Sequence, residues 1–308
     1  MIGVDLQRAA NALIRGELVA IPTETVYGLA ANALDKNAVL KIFEAKNRPS
    51  FDPLIVHVPN VEVARSLVRS FPPLAEKLAT AFWPGALTLI LPKKDIIPDE
   101  VTSGLDFVGI RIPNHVLALE LLNTIDFPLA APSANPFSYV SPTSAQHVEN
   151  QLGSRISYIL DGGPCTVGIE STIVSFEHPE SPTILRFGGL SQEDIEACIG
   201  KVKIQVSANS NPKAPGQLDK HYATTKPTRI VEVLPESADA FVISFGEDAG
   251  RGDFNLSATG NLIEAARNLF AALRLADESH HISIVAQLVL NQGLGRAIND
   301  RLKRAAVV

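Results

Sequence analysis

The sequence predicts an α/β protein in two domains, and three observations carry the prediction. Apolar runs of strand length alternate with segments of helical period along the whole chain. The composition, 46% hydrophobic and 19% charged over 308 residues, supplies real cores and too little charge for disorder. A stretch at 205–228, QVSANSNPKAPGQLDKHYATTKPT, is polar, carries prolines and has few large aliphatics, so it reads as a linker. It divides a first unit, 1–204, from a second, 229–308.

The elements follow in order. Leu6, Ala10, Leu13 and Ile14 recur at helical spacing behind Asp5, and Gly16 follows as a stop. LVAIP at 18–22 is a short strand. Asp35 can cap a helix that carries Val39, Ile42 and Phe43 on one face. Residues 54–58, LIVHV, are a strand, and helices follow near 60–70 and 72–82. Further strands are expected at 87–91, 107–112, 128–131, 157–160, 171–176 and 183–186, with helices near 114–124, 143–152 and 191–199. Beyond the linker, strands at 229–234, 240–245 and 282–287 alternate with helices near 260–276 and 294–306, which predicts a small unit in the doubly wound style.

Composition also excludes function classes. A formal net charge of −6 argues against a mainly electrostatic nucleic-acid binder. The two cysteines, Cys165 and Cys198, form no C-x-x-C pair, so neither a disulfide framework nor a zinc knuckle is indicated. The opening MIGVDLQRAANALIRGELV breaks its apolar residues with charge, as an amphipathic helix does and a signal peptide does not. No run reaches the roughly 18 apolar residues that a membrane span needs. The expectation is a cytoplasmic protein with no membrane partner. There is no Walker P-loop, no G-x-G-x-x-G behind a strand, no H-E-x-x-H and no G-x-S-x-G elbow.

Five stretches carry polar groups where an α/β fold places ligands. In IPTETVYGLA (21–30) a strand runs into Thr23, Glu24, Thr25 and Tyr27; the alternative is a turn whose hydroxyls bond their own backbone. In AKNRPSFDPLIVHV (45–58) Arg48 precedes Pro49, which favours extended backbone, where positions 46 and 48 point the same way. Lys46 and Arg48 can then grip one anion; the alternative is a solvated helix end whose cations favour the helix dipole. His57 interrupts the following strand, as either a site residue or a hydrogen-bonded core histidine. Arg111 interrupts the apolar strand of VGIRIP (108–113), and a buried arginine needs a carboxylate from the protein or from a ligand. AAPSANPFSYVSPTS (130–144) offers Ser133, Asn135, Ser138, Ser141 and Ser144 to phosphate or sugar oxygens, or is a plain connection. DGGPCTVGIESTIVSF (161–176) places Glu170, Ser171 and Thr172 at a strand start behind two glycines; Cys165 has no base beside it and is a poor nucleophile candidate.

The order of these stretches is more specific than any one of them. PTETVYGL, KNRPSFDPLIVHV, WPGALTLIL, GIRIP, APSAN, SPTSAQHV, GIESTIV and LRFGG resemble the YrdC family in sequence and spacing. APGQLDKHYATTKP, NLSATGNLIEAARNLFAALRLAD and GLGRAINDRLKRAA resemble the linker and extension domain of its long form, the threonylcarbamoyl-AMP synthases. The resemblance implies a twisted mixed sheet around a positively charged concave groove, plus a smaller Rossmann-like C-terminal domain, with the linker crossing the groove mouth as a lid. It implies condensation of L-threonine, bicarbonate and ATP, with Mg²⁺, to threonylcarbamoyl-AMP and pyrophosphate. A tRNA threonylcarbamoyltransferase complex is the implied downstream partner.

Roles carried by the resemblance are these. Thr25, His57, Arg111, Ala131 and Ser171 would hold threonine. Lys46, Arg48, Asp52, Phe107, Ser133, Ser141, Arg186 and, from the linker, Tyr222 would contact ATP. Lys46 and Arg48 would also serve the chemistry, facing the triphosphate and bicarbonate, and Mg²⁺ would be held through phosphates. The chain departs from the family pattern at Asp52, where Asn is usual, at Ser175, where Asp is usual, and at Gln217-Leu218-Asp219 in the linker. The wider family implies two other readings: an RNA-binding module without turnover, and a nucleotide-binding accessory with a different acceptor. Net charge and the shortage of aromatics beside cations count against RNA.

Overall fold

Asp5 accepts a hydrogen bond from the Arg8 amide at 2.9 Å, Asp35 caps the next helix through the Asn37 amide, and Gly16 turns out of the first helix at φ 70°. The computed structural model describes residues 1–206, 214–216, 221–235, 239–247 and 252–307. Its elements begin β1 (Ile2–Gly3), α1 (Leu6–Ile14), β2 (Val19–Ile21), β3 (Gly28–Asn32), α2 (Lys36–Lys46), β4 (Ile55–His57), α3 (Val61–Leu67), α4 (Pro73–Phe82) and β5 (Leu87–Pro92). They continue with α5 (Asp99–Thr102), β6 (Phe107–Arg111), α6 (Val116–Thr124), β7 (Leu129–Ala130), α7 (Ala145–Leu152), β8 (Tyr158–Leu160), β9 (Thr172–Ser175), β10 (Thr183–Arg186), α8 (Gln192–Ile199) and β11 (Lys203–Ile204). The second unit holds β12 (Thr228–Val231), β13 (Phe241–Ser244), β14 (Phe254–Asn255), α9 (Leu262–Glu278), β15 (Ile284–Gln287) and α10 (Gly295–Ala305).

The first eleven strands form one mixed sheet in the order β1-β8-β2-β3-β7-β4-β6-β5-β9-β10-β11. Period-two alternation assigns its faces. Val56, Leu87, Leu89, Ile110 and Val174 face a core built with α2, α3, α4 and α8. The opposite face is covered in two parts. At one end α1 and α6 pack on Val19, Ile21, Ala30 and Leu129. At the other end, among the described residues, Ile55, Ile90, Ile173 and Leu185 cluster with Ala214 of the linker and with no helix residue. Between the two parts the sheet carries polar side chains, and the cavity lies there.

The second sheet, β12-β15-β13-β14, is wholly parallel. Phe241, Ile243, Ile284 and Ala286 share one face and one cluster with both α9 and α10. The expected doubly wound arrangement is corrected here: among the described residues both helices cover the same face, and Val242 and Val285 on the other pack on Leu234 and Ala240. The reason is visible in that first cluster, which also contains Val26, Val140, Ile169 and Tyr222. The helix layer is apolar on both sides because it lies between its own sheet and the groove of the first unit.

Two other expectations are revised. Residues 28–32, for which no element was expected, form β3, whose small residues pair antiparallel with β2 and β7. β1, β11, β14 and the short α5 carry too few residues to show a period. Gln217, Leu218 and Asp219 lie outside the described residues. No described helix is long and apolar enough to cross a membrane.

Candidate active site

The end of the cavity around His57 and Arg111 begins with strand register. Parallel pairing of β4 with β6 sets His57 beside Arg111, both on the groove face. The arginine has the carboxylate it requires: Glu24 Oε1 lies 2.7 Å from its Nη2, with both side chains buried, while its Nε donates to the Gly85 carbonyl at 3.1 Å. Neither Glu24 oxygen, nor Arg111 Nη2, has an aligned hydrogen-bond partner, so the contact is Coulombic. Burial, then the Arg111 charge, lowers the His57 pKa to about 3, so the imidazole is neutral at pH 7. Thr88 and Ser171 bring their hydroxyl oxygens within 2.7 Å of each other on neighbouring strands. Thr23 Oγ1 accepts from the Thr25 and Val26 amides at 3.2 Å and donates to the Val26 carbonyl at 2.6 Å, and the Thr25 hydroxyl lies 2.9 Å from it at the cavity wall.

The cationic end differs from the sequence-based geometry. Lys46 is not in extended backbone: it ends α2, and Asn47 at φ 52° makes the left-handed cap. Nor is this end solvated, since Lys46 is 1% and Arg48 7% exposed. Lys46 Nζ donates to the carbonyls of Ser133 and Asn135, which ties α2 to the serine loop. Burial and then Arg48 push the Lys46 ammonium well below the usual lysine range. Arg48 donates to the backbone carbonyls of Asp52 and Pro53, and its Nη2 lies 2.9 Å from Asp52 Oδ2. Burial holds the Asp52 carboxyl above its usual range despite Arg48 and Lys46.

Arg186 reaches the groove through a register irregularity. Ile184 faces the core and Leu185 the groove; the register with β9 shifts between Ile184 and Arg186, and Arg186 is thereby also aimed at the groove. It donates to the Ser171 carbonyl and hydroxyl and to the Pro215 carbonyl of the linker. Tyr222, at φ 61°, is a bulky residue in left-handed backbone, held by its surroundings. Its ring stacks on Phe270 of α9 at 5.4 Å and lies under the Arg301 guanidinium of α10 at 5.3 Å. Arg301, fully buried, gives Nε and Nη2 to Glu170 Oε2 at 3.2 and 3.1 Å, and Ser141 donates to Glu170 Oε1 at 2.6 Å. Although burial alone raises it, the two arginines Arg301 and Arg186 and the Ser141 hydroxyl hold Glu170 below the usual carboxylate range.

The cavity brings together Thr25, Arg48, His57, Arg111, Ala131, Ser133, Ser171, Arg186 and Tyr222 of the sequence-based candidates. Lys46 and Asp52 lie immediately behind its wall, and Ser141 touches it through Glu170. Phe107 is farther along the groove, in a hollow with Ile90, Leu105 and Ser175. Roles for Glu24, Glu170, His221 and Arg301 were missed. Glu24 and Glu170 stood in stretches already marked as polar, and His221 adjoins Tyr222. His221 also lines the cavity, its pKa lowered to about 3 by burial, an effect partly opposed by Glu170 and reinforced by Arg48, Lys46 and Arg186. Arg301 carried no signal beyond its place on an amphipathic helix. Cys165 is a buried thiol pushed up to about 12, mainly by burial, which agrees with its dismissal as a nucleophile.

Fold and site together define a two-domain α/β protein whose ligand cavity is walled by a mixed sheet and roofed by a linker and the helices of a second domain. Residues 11–188 match the Sua5/YciO/YrdC family model, described as telomere recombination, and residues 190–307 match the threonylcarbamoyl-AMP synthase C-terminal domain. The chain belongs to this family, in its long form. It is 42% identical to the threonylcarbamoyl-AMP synthase of Pyrococcus abyssi, over 97% of this chain and 93% of that one. Identity to the Bacillus subtilis threonylcarbamoyl-AMP synthase is 41%, over 98% and 92%. The crystal structure of P. abyssi Sua5 complexed with L-threonine superposes with a TM-score of 0.91 at 41% identity, covering 98% of this chain and 94% of that one.

Proposed function

We propose that this chain condenses L-threonine, bicarbonate and ATP to threonylcarbamoyl-AMP and pyrophosphate, for N6-threonylcarbamoyladenosine modification of tRNA. One observation carries the reading: a carboxylate-binding pair, His57 and Arg111, shares a cavity with phosphate-competent Arg48 and Arg186. Groups suited to an amino-acid carboxylate and to phosphates thus face one space.

In this reading Arg111 takes the threonine carboxylate, and the Thr25 hydroxyl accepts from the amine. The neutral amine attacks bicarbonate; a C–N bond forms, water leaves, and an N-carboxylate results. One of its oxygens attacks the α-phosphorus, and the bond to pyrophosphate breaks. Arg48 and Arg186, with Lys46 behind them, stabilise the charge that builds on the phosphates. Carbamates revert readily, so the roof formed by Pro215, His221 and Tyr222 keeps water from the intermediate. Mg²⁺ is proposed to enter with ATP and to neutralise phosphate charge. The nearby Asp52 oxygens, without hydrogen-bond donors, are hard ligands of the kind it accepts, but Arg48 already engages one of them, so phosphates are the better anchor. Ser133 and Ser141 lie on the loop that would border the nucleotide, with Phe107 beyond. The product is proposed to pass to a tRNA threonylcarbamoyltransferase complex.

The test is pyrophosphate release with each of ATP, L-threonine and bicarbonate omitted in turn, repeated with Arg111→Ala. Release that needs all three and is lost in the variant supports the reading. Release independent of threonine refutes it, and full activity in the variant refutes the role of Arg111.

A further inference from the structure

The wall of the cavity beside Arg111 holds a buried carboxylate that meets the arginine through charge alone. Glu24 is 5% exposed, and the residues on either side of it, Thr23 and Thr25, line the cavity while its own side chain turns to Arg111. A structural ion pair at this depth normally aligns its hydrogen bonds, because only that offsets the loss of water. Glu170 and Arg301 do so, with every carboxylate oxygen bonded. Glu24 and Arg111 approach more closely, at 2.7 Å, without alignment. The Glu24 carboxylate therefore acts on Arg111 through charge, at Nη2, while Nε is engaged by the Gly85 carbonyl.

The Arg111–Glu24 ion pair sits beside a neutral His57 imidazole and a protonated Cys165 thiol, with the charges of Arg186 and Glu170 next along the cavity. Thr25 offers a hydroxyl, which can accept from a cationic amine. An uncompensated arginine attracts any carboxylate, whatever else the ligand carries. A compensated one attracts a carboxylate weakly, unless the same ligand also presents a cation to the acceptor side of the pocket. We infer that Glu24 is a specificity-determining residue, which by cancelling the charge of Arg111 from behind makes the site select an amino-acid zwitterion over a carboxylate of the same shape. The inference rests on the amino-acid reading of this cavity, and Glu24 acts through Arg111.

Calorimetric binding without ATP separates the two ideas. The probes are L-threonine and 2,3-dihydroxybutanoate of matching configuration, in which a hydroxyl replaces the amine. Wild-type protein is expected to prefer threonine. Glu24→Gln, which keeps the shape and removes the charge, is expected to lower that preference about tenfold, as one partly screened unit charge dictates. Much of the change should come from tighter binding of the hydroxy acid. Glu24→Asp, which keeps the charge, should retain the preference, and it remains informative if Glu24→Gln does not fold. A preference unchanged to within about twofold in Glu24→Gln, or lost in folded Glu24→Asp, overturns the inference alone. Wild-type protein that binds neither probe overturns the amino-acid reading and the inference with it.

Discussion

Replacing Arg301 by alanine tests whether the second domain holds the roof of the cavity. The side chain is fully buried, gives two hydrogen bonds to Glu170, donates to the Phe187 carbonyl at 2.6 Å, and covers the Tyr222 ring. Its removal leaves Glu170 buried with Ser141 as its one neutral side-chain donor. Breaking a buried pair from one side costs about 3–5 kcal/mol, and the lost ring contact adds about 1 kcal/mol. Glu170→Gln should cost less, about 2 kcal/mol, because Arg301 keeps the Phe187 carbonyl and Asp300. In the double variant neither charge is stranded, so its cost should fall short of the sum by about 2–3 kcal/mol.

The assay is urea unfolding read by the fluorescence of Trp83, the only tryptophan in the chain, which belongs to the core of the first domain. A loss at Trp83 from a substitution in α10 measures coupling between the domains, which a local effect on the second domain does not produce. Pyrophosphate release should fall as well, because Tyr222 then loses the guanidinium that covers it. Strict additivity, or a Trp83 transition moved by less than about 1 kcal/mol in Arg301→Ala, refutes the reasoning.

Gly168→Ala should loosen the same interface: at φ 79°, a Cβ would fall 2.4 Å from the Arg267 Cα of α9, so a transition reported by the second domain should shift by about 2 kcal/mol or more, checked by hydrogen exchange in α9. Acid should destabilise the fold before the carboxylates titrate. His57 and His221 have folded pKa values of about 3 against about 6.5 unfolded, so the unfolded chain binds more protons below pH 6.5; each is expected to cost about 2 kcal/mol by pH 5, and urea midpoints that stay flat between pH 7 and 5 contradict this.

What the sequence made legible was local. Capping by Asp5 and Asp35, the strands around His57 and Arg111, and the helices of both domains follow from period and turn chemistry, and the ordered motifs carried the family. Arg111 was legible as an arginine in need of an anion. That the anion is Glu24 was not, because a loop and a strand meet there through tertiary packing. Lys46 was misjudged because Pro49 draws the eye, whereas the geometry is set by Asn47, whose left-handed cap keeps Lys46 helical. Arg186 needed a register shift that no periodicity announces. The single-sided helix layer of the second domain was hidden for a similar reason: an apolar helix records that it is buried, not against what.

The three buried arginine–carboxylate pairs of the molecule's centre separate by task. Arg301 and Glu170 join the domains, and their hydrogen bonds are complete. Arg111 and Arg48 line the cavity, and each meets its carboxylate at short range with no aligned bond to it; their aligned donors go to backbone carbonyls. Lining up carboxylate and guanidinium would stabilise the empty site by strengthening both pairs, and would occupy the donors that an incoming anion requires. A charge contact keeps a buried arginine charged, while backbone carbonyls take its aligned donors, Nε and Nη2 in Arg48 and Nε in Arg111. An anion entering the cavity would then compete with a carboxylate's field and with carbonyl hydrogen bonds, and not with a bidentate carboxylate bond.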